Sequence, residues 1–194
     1  MGARTAAFGF VARSRMSRVL TKPRYVTMMA RLSCAVGRMF RKVVSRVVDD
    51  LDAVASVAAE ADRRLILIFD TDNTIVPQGT PPKEFRDRVN QAIDRFEQIP
   101  TVERAIVLTN GPRRGVDRMI SRGNKPWTSR RRLGLVDGNT EMWVIGDQVL
   151  TDGVLAWRLG AEFFHCMIDP ADDYPGQARL RRLGRLVAPL IFRR

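Results

Sequence analysis

The apolar residues of this chain form short runs that alternate with amphipathic segments. The runs predict four strands, at residues 65–69, 105–108, 142–145 and 162–168, of which the first is expected to be buried on both faces. Apolar positions at three- and four-residue spacing predict helices at residues 49–62, 83–98, 115–122, 149–159 and 177–190. Strands that alternate with helices predict an α/β fold with a parallel sheet and right-handed crossovers.

Polar side chains stand directly after the first three predicted strands. They are Asp70, Asp72, Thr109, Asn110 and Asp147. Because the carboxyl ends of parallel strands meet at one edge of a sheet, these side chains are expected to converge. Lys125 lies in the loop before the third strand, and Asp152 lies at the start of the helix after it. Taken alone, Asp70 and Asp72 are equally compatible with a polar turn.

Carboxylates gathered at one point repel each other unless a cation or a shared proton relieves them. The candidate metal ligands are Asp70, Asp72, Asp147 and Asp152. They offer only oxygen, with no His or Cys, and therefore favour a hard cation, Mg²⁺ before Zn²⁺. Mg²⁺ usually binds a substrate phosphate as well, which points to phosphoryl chemistry.

Each candidate has a role in that chemistry. A carboxylate at the end of a rigid strand, here Asp70, can attack phosphorus. A second carboxylate two residues on, Asp72, can protonate the leaving oxygen. Thr109 and Lys125 can help to neutralise the negative charge of the transferring phosphoryl group.

The first two of these segments resemble the first two motifs of the haloacid dehalogenase (HAD) phosphatase superfamily. Residues 70–74, Asp-Thr-Asp-Asn-Thr, are similar to the first motif. That resemblance implies that Asp70 is the nucleophile and Asp72 the general acid/base. Thr109 is similar to the hydroxyl of the second motif, which holds the phosphoryl group, and Asn110 beside it is a candidate substrate-binding residue.

The other two motifs follow in the same order. Lys125, followed by proline, resembles the lysine of the third motif and is a second candidate for substrate binding. Residues 146–152, Gly-Asp-Gln-Val-Leu-Thr-Asp, resemble the fourth motif. This implies that Asp147 is a metal ligand and that Asp152 supports it. The resemblance covers about residues 64–170 and implies a Rossmann-like three-layer sandwich.

The spacing between the motifs leaves no room for a cap domain. Members of the superfamily carry caps either after the first motif or between the second and third. Here 37 residues separate Asp72 from Thr109, and 16 separate Thr109 from Lys125. A capless member has an open site, which suits a large substrate or one held on a surface.

Two details resemble the YqeG-like branch, which includes phosphatidylglycerophosphate phosphatases. They are Asp-Thr-Asp-Asn-Thr-Ile-Val-Pro at residues 70–77 and the fourth motif. The resemblance implies removal of the terminal phosphate from a lipid headgroup. One departure is that the branch usually has two Asn after the second-motif hydroxyl, whereas Asn110 is followed by Gly111. A soluble sugar phosphate, a nucleotide or a nucleic-acid end is the alternative substrate.

Charge is concentrated at the start of the chain. Of the net charge of +12, residues 1–48 supply +11, from eleven Lys and Arg and no acidic residue. Residues 1–27 show no period and are predicted to be poorly ordered. Residues 28–48 carry apolar positions at helical spacing and are predicted to form a basic amphipathic helix. The phosphatase domain is then expected at residues 63–194.

The predicted basic helix has three possible partners. An anionic membrane surface is favoured by its charge and amphipathicity, and packing on the protein's own domain is the second possibility. Nucleic acid is disfavoured because aromatic residues for stacking are scarce in the helix. These features predict a cytoplasmic protein on the inner membrane face, or alternatively a mitochondrial matrix protein, since residues 1–27 resemble a transit peptide.

Structural roles are expected for the histidine and the two cysteines of the chain. His165 lies inside a predicted strand and is expected to pack there, not to act in catalysis. Cys34 and Cys166 match no metal or redox spacing and are expected to be reduced thiols. A non-enzymatic binding protein on the same scaffold is the third functional alternative, and it is disfavoured because every position of the four motifs is filled.

Overall fold

The computed structural model describes residues 43–111, 116, 118–120, 124–135, 140–167 and 175–193. They belong to a compact unit that spans Gly37–Arg194. In chain order the elements are β1 (Val43–Val48), α1 (Leu51–Ala59), β2 (Leu65–Phe69), α2 (Pro82–Glu97), β3 (Val102–Leu108), β4 (Met119–Ile120), a 3₁₀ turn (Arg131–Leu133), β5 (Glu141–Gly146), a π-helical turn (Val149–Gly153), α3 (Val154–Leu159), β6 (Glu162–Cys166), α4 (Pro175–Ile191) and β7 (Phe192–Arg193).

The strands of the described residues form one seven-stranded sheet in the order β4-β3-β2-β5-β6-β1-β7. Every pairing in it is parallel. From β2 the chain adds β3 and β4 on one side, and then crosses to add β5 and β6 on the other. Open α/β sheets bind ligands where the direction of addition reverses, at the carboxyl ends of the strands. Here that point lies between β2 and β5.

The sheet separates two apolar cores. Leu65, Leu67 and Phe69 of β2 face the core that contains α1 and α2. Ile66 and Ile68 face the core that contains α3 and the last turn of α4. All five residues of β2 are buried, as expected for a strand in the middle of a parallel sheet. The predicted α/β fold with a parallel sheet is therefore confirmed, with helices on both faces.

The predicted helix over residues 28–48 is wrong at its C-terminal end. Residues Val43–Val48 form β1, which pairs with β6 through Ser45 and Phe163 and with β7 through Val43 and Phe192. Four of its six residues are valine, whose branching at Cβ restricts the side chain and favours a strand. Residues 28–42 lie outside the described residues. The sheet of the predicted domain 63–194 thus also contains β1.

Two shorter segments also differ from the predicted helices. Met119–Ile120, inside the predicted helix 115–122, forms the edge strand β4 and pairs with Val107 and Leu108 of β3. In the predicted helix 149–159, Val149–Gly153 is a π-helical turn and only Val154–Leu159 is α-helical. The other predicted helices that fall within the described residues agree with α1, α2 and α4 to within a few residues.

The helices of the described residues all fall short of a bilayer span. None of them combines the length and the apolar character needed to cross a membrane.

Candidate functional site

Asp70 follows β2 directly and is fixed in the crevice between β2 and β5. Its backbone N–H donates to the carbonyl of Ile145 in β5 at 2.8 Å. Its Oδ1 accepts hydrogen bonds from the backbone N–H of Thr71 at 2.7 Å and from Lys125 Nζ at 2.6 Å. Both hydrogen bonds to the carboxylate fall on Oδ1, which leaves Oδ2 for another ligand. The side chain is 14% exposed, so Asp70 lies at the mouth of the site.

Lys125 bridges two carboxylates. Its Nζ lies 2.6 Å from Asp70 Oδ1 and 2.7 Å from Asp152 Oδ1, and its side chain is only 4% exposed. Burial alone would lower the pKa of Lys125, but the charges of Asp152 and Asp70 outweigh burial and raise that pKa above its ordinary value. Lys125 is therefore a buried, permanently protonated cation at the base of the site.

Asn110 holds the backbone of Lys125. The Lys125 N–H donates to Asn110 Oδ1 at 2.7 Å, and Asn110 Nδ2 donates to the Lys125 carbonyl at 3.3 Å. Lys125 belongs to a loop and not to a helix or strand, so these two bonds tie the loop to the end of β3. The predicted role of Asn110 in substrate binding stays a prediction, because in the structure its side chain contacts Lys125.

Asp147 follows β5 and is 2% exposed. Its Oδ2 accepts a hydrogen bond from Arg181 Nη2 at 2.7 Å, and its backbone carbonyl lies 3.1 Å from His165 Nε2. Its Oδ1 is buried and has no hydrogen-bond partner among the described residues. A buried carboxylate oxygen without a donor is costly unless a ligand or a proton satisfies it.

Arg181 is the residue of the site that sequence reasoning missed. It belongs to α4, thirty-four residues after Asp147, and carries no motif. The signal that marks it is its helical position, because Arg181, Gly184 and Ala188 share the face of α4 that packs on the domain. An arginine on the inward face of an amphipathic helix needs a buried carboxylate partner.

Asp152 lies in the π-helical turn and is 1% exposed. Its Oδ1 accepts from Lys125 Nζ at 2.7 Å, and its Oδ2 accepts from the backbone N–H of Gln148 at 3.2 Å. Both oxygens therefore already have donors. Gly146 makes room for this side chain, because a Cβ added at Gly146 would lie 2.6 Å from the Asp152 Cβ.

The three carboxylates form one group. One oxygen each from Asp70, Asp147 and Asp152 lies within 4.8 Å of the others. Burial, followed by the charge of Asp152, raises the pKa of Asp70 to about 6. Burial, Asp152 and Asp70 raise the pKa of Asp147 to about 7, against the opposing effect of Arg181. When all three carboxylates are ionised, the two cations that pair with them leave one negative charge, which favours a bound cation.

This donor set is able to hold a metal ion. Among the described residues, Asp147 Oδ1 has no hydrogen-bond partner, and the two hydrogen bonds to the Asp70 carboxylate both fall on Oδ1. All donors are oxygen, the preference of hard divalent cations. Asp152 fits a supporting role better than a ligand's role, since Lys125 and Gln148 already occupy its oxygens.

Two predicted site residues remain outside this group. Asp72 is partly exposed, and its carboxylate is not one of the three that lie within 4.8 Å. The backbone at Asp72 bridges to Val76 in the turn after β2. Thr109 follows β3 and is 2% exposed, and its Oγ1 accepts from the backbone N–H of Gly111 at 3.1 Å. The predicted roles of Asp72 as metal ligand and acid, and of Thr109 as phosphoryl-binding hydroxyl, stay predictions.

His165 and Cys166 support the site from β6. The His165 ring stacks on Phe163 at 5.5 Å between centroids, and burial lowers its pKa, so the imidazole is neutral. Because a carbonyl oxygen can only accept, His165 Nε2–H donates to the Asp147 carbonyl. Cys166 is buried and free, and burial raises the pKa of its thiol to about 12. His165 packs in β6 and Cys166 is buried, as expected, while the absence of a catalytic role stays a prediction and Cys34 lies outside the described residues.

The structure thus brings Asp70, Lys125, Asp147 and Asp152 to one point and attaches Asn110 to it through the Lys125 backbone. Comparisons of the chain with family models, with curated proteins and with solved structures found no match. The geometry of this group is therefore the main guide to what the protein does.

Proposed function

We propose that the protein is a Mg²⁺-dependent phosphatase that works through a phosphorylated Asp70, in a capless fold of the HAD type. The observation that carries this proposal is Asp147 Oδ1, which is buried without a hydrogen-bond partner among the described residues, beside Asp70, which a buried lysine anchors through Oδ1. A carboxylate held in this way is oriented for attack and not only for structural pairing.

Asp70 has the properties that a nucleophile needs. The Thr71 N–H and Lys125 Nζ fix the orientation of its carboxylate, and fixed orientation is a large part of enzymatic rate enhancement. Its pKa of about 6 keeps most of the carboxylate ionised at neutral pH. In the first step an Asp70 oxygen bonds to phosphorus as the bond to the substrate oxygen breaks, and the leaving oxygen takes a proton from Asp72.

The second step returns Asp70 to its starting state. A water attacks phosphorus in the acyl phosphate and gives its proton to Asp72, so that inorganic phosphate and the Asp70 carboxylate are released. Asp72 lies two residues after the nucleophile in a tight turn, partly exposed, where it can exchange protons with solvent. Lys125 stays protonated throughout and offsets negative charge on the phosphoryl group.

Asp70 and Asp147 would hold the metal ion. When bound, Mg²⁺ neutralises negative charge on the substrate phosphate and helps to orient it. Arg181 and His165 fix the position of Asp147 through its Oδ2 and its carbonyl, so that Oδ1 would be the oxygen that holds the cation. Asp152 fixes Lys125 from the other side. The all-oxygen donors support Mg²⁺ as the metal.

For the substrate we propose phosphatidylglycerophosphate, which would be converted to phosphatidylglycerol. The support is the resemblance of residues 70–77 and 146–152 to phosphatases of that lipid, together with the short spacing between motifs, which predicts an open site. An anionic membrane as partner, and a place on the inner membrane face, belong to the same proposal.

The proposal is tested by phosphate release from vesicles that contain phosphatidylglycerophosphate, with Mg²⁺ and with a chelator. We expect Mg²⁺-dependent release in the wild type and none in Asp70→Asn, with Asp87→Asn on the exposed face of α2 as the matched control. A panel of soluble phosphate monoesters is measured in parallel. High turnover of a soluble ester without activity on vesicles would show that the substrate is soluble and not a lipid. If no phosphate is released from any ester, the proposed phosphatase activity is wrong.

A further inference from the structure

Helix α4 presents two different surfaces. Its inward side carries Arg181, which pairs with Asp147, and Gly184, where an added Cβ would lie 3.0 Å from the Val149 Cβ. Ala188 and Ile191 pack against the apolar core on the same side. The helix is therefore seated firmly on the domain, and the residues on its other side are presented outward at fixed positions.

The outward side of α4 repeats an Arg-Leu pair every three residues. The pairs are Arg179-Leu180, Arg182-Leu183 and Arg185-Leu186. Leu180, Leu183 and Leu186 are 45%, 51% and 74% exposed. Successive residues of a helix are about 100° apart, so the leucines form one stripe and the arginines a second stripe beside it.

The charged side chains of this surface are all basic. Helix α4 contains no Asp or Glu, and among the described residues no carboxylate forms an ion pair with Arg179, Arg182 or Arg185. Three leucines exposed side by side are costly in water and indicate a covering partner. That partner has to offer an apolar phase along the leucine stripe and negative charge along the arginine stripe.

We infer that α4 is the surface by which this protein docks on an anionic phospholipid bilayer. In a bilayer the acyl region would take the leucine stripe while lipid phosphates pair with the arginine stripe, as for helices that lie in the interface plane. An acidic protein groove would have to match both stripes through specific contacts, yet from Arg179 to Ile191 the helix offers no uncharged polar side chain for them. The bilayer needs only the two stripes that are present.

Docking through α4 places the candidate site at the membrane. The helix that carries the leucines also carries Arg181, whose Nη2 lies 2.7 Å from Asp147 Oδ2, so the site lies directly beneath the docking helix. This inference rests on the proposed function for its partner, an anionic membrane, and adds the surface that docks, which vesicle binding tests without catalysis. It assigns a docking surface to a helix of the folded domain, in addition to residues 28–48, for which membrane binding stays a prediction.

The test is co-sedimentation of the full chain with phosphatidylcholine vesicles that contain or lack phosphatidylglycerol. Leu183→Gln/Leu186→Gln removes apolar area, and we expect binding to fall by at least about tenfold. Arg179→Gln/Arg182→Gln removes two charges, and we expect a fall of roughly thirtyfold, from about 1 kcal/mol for each basic residue near the surface. Val44→Gln, also an exposed apolar position, and Lys83→Gln/Arg86→Gln on α2 are the matched controls.

Each outcome decides the inference. Loss of binding in both α4 variants, retained binding in both controls and preference for anionic vesicles support it. If the α4 variants bind vesicles as well as the wild type does, the inference is overturned. Docking then belongs to another surface, and residues 1–42 are among the candidates. If the wild type does not bind vesicles but forms dimers, and the leucine variant is monomeric, the leucine stripe is instead the contact with a second copy of this chain. Hydrolysis of a soluble phosphate ester is measured in every variant, so a failure of docking is distinguishable from a failure of the phosphatase.

Discussion

The ammonium of Lys125 lies 2.6 Å from the carboxylate of Asp70, in a site where the lysine side chain is 4% exposed. The contact uses only one of the two carboxylate oxygens. It holds the acid that ends the central strand β2 in a single orientation, while Asp152 holds the lysine from the opposite side. Removing Lys125 would leave two buried carboxylates without the cation that they share, which is costly.

Replacing Lys125 with methionine is expected to reduce turnover by about a hundredfold or more. Asp70 and Asp152 then face each other without a cation, so the pKa of Asp70 rises further and less of the nucleophile is ionised. The measurement is kcat as a function of pH, in which the acidic limb should move to higher pH. Lys125→Arg, which keeps the charge, should leave that limb near its wild-type position, and an unmoved limb in Lys125→Met would contradict the role assigned here.

Asn110→Ala is expected to lower turnover by about tenfold or more through misplacement of Lys125, because Asn110 makes both hydrogen bonds to the Lys125 backbone. The loss should fall on kcat and be accompanied by a shift of the acidic limb, since the lysine would be less well placed to hold Asp70 ionised. Asn90→Ala on α2 is the control. A change confined to KM would instead support the predicted contact of Asn110 with substrate.

Gly146→Ala is expected to destabilise the protein by about 1 to 3 kcal/mol, because the new methyl group would overlap the Asp152 side chain. Denaturant unfolding measures the loss. The double variant Gly146→Ala/Asp152→Ala removes the obstructing carboxylate, so the two changes should be strongly non-additive. Additive losses would show that Asp152 is not what restricts position 146.

The pH dependence of stability follows from Asp70 and Asp147. Their pKa values, about 6 and about 7 in the folded protein, lie above the ordinary value of 3.8. The folded state therefore binds more protons than the unfolded state in this range, and the stability that this supplies is lost as pH rises from about 4 to about 7. Mg²⁺ requires the ionised carboxylates, so its stabilising effect should grow over the same range.

Thermal melts from pH 5 to pH 8, with and without Mg²⁺, check this linkage. The metal should raise the melting temperature much more at pH 8 than at pH 5. Asp147→Asn should remove most of the metal effect and part of the pH dependence. A metal effect of equal size at all pH values would mean that Mg²⁺ binds elsewhere.

Arg181→Gln is expected to raise the pKa of Asp147 still further, because the guanidinium opposes the effects of burial and of the neighbouring acids. At pH 7 the variant should bind Mg²⁺ more weakly, and alkaline pH should restore part of the affinity. Calorimetric titration at two pH values measures the effect, with Arg182→Gln, the exposed neighbour in α4, as the control. Equal losses in both variants would point to a general effect of charge.

The central part of the molecule was predictable from local pattern. Leu65–Phe69 consists of five consecutive apolar residues and is too short for a typical helix, so only a buried strand fits it. The residues after each strand then converge because parallel strands end at the same edge. Asp70 and Asp147 meet for this reason, and Asp152 joins them from the π-helical turn that follows β5.

The sequence predictions were wrong or incomplete where the local pattern is ambiguous, or where long-range contacts decide the structure. The valines of β1 satisfy a helical period as well as a strand, and the choice is made by pairing with β6, more than a hundred residues later in the chain. The two residues of β4 are too few to show any period. Helical spacing places Arg181 on the inward face of α4, but its partner Asp147 is decided by the packing of α4 on the turn after β5.

The most direct test of the central claim is to trap the phosphorylated enzyme during turnover. Borohydride reduces an acyl phosphate on aspartate to homoserine, and mass spectrometry of the digested protein locates it. With phosphatidylglycerophosphate vesicles and Mg²⁺, we expect homoserine at position 70 in the wild type and none in Asp70→Asn or without substrate. Phosphate release that continues in Asp70→Asn, with position 70 unmodified in the wild type, would contradict the assignment of Asp70 as nucleophile.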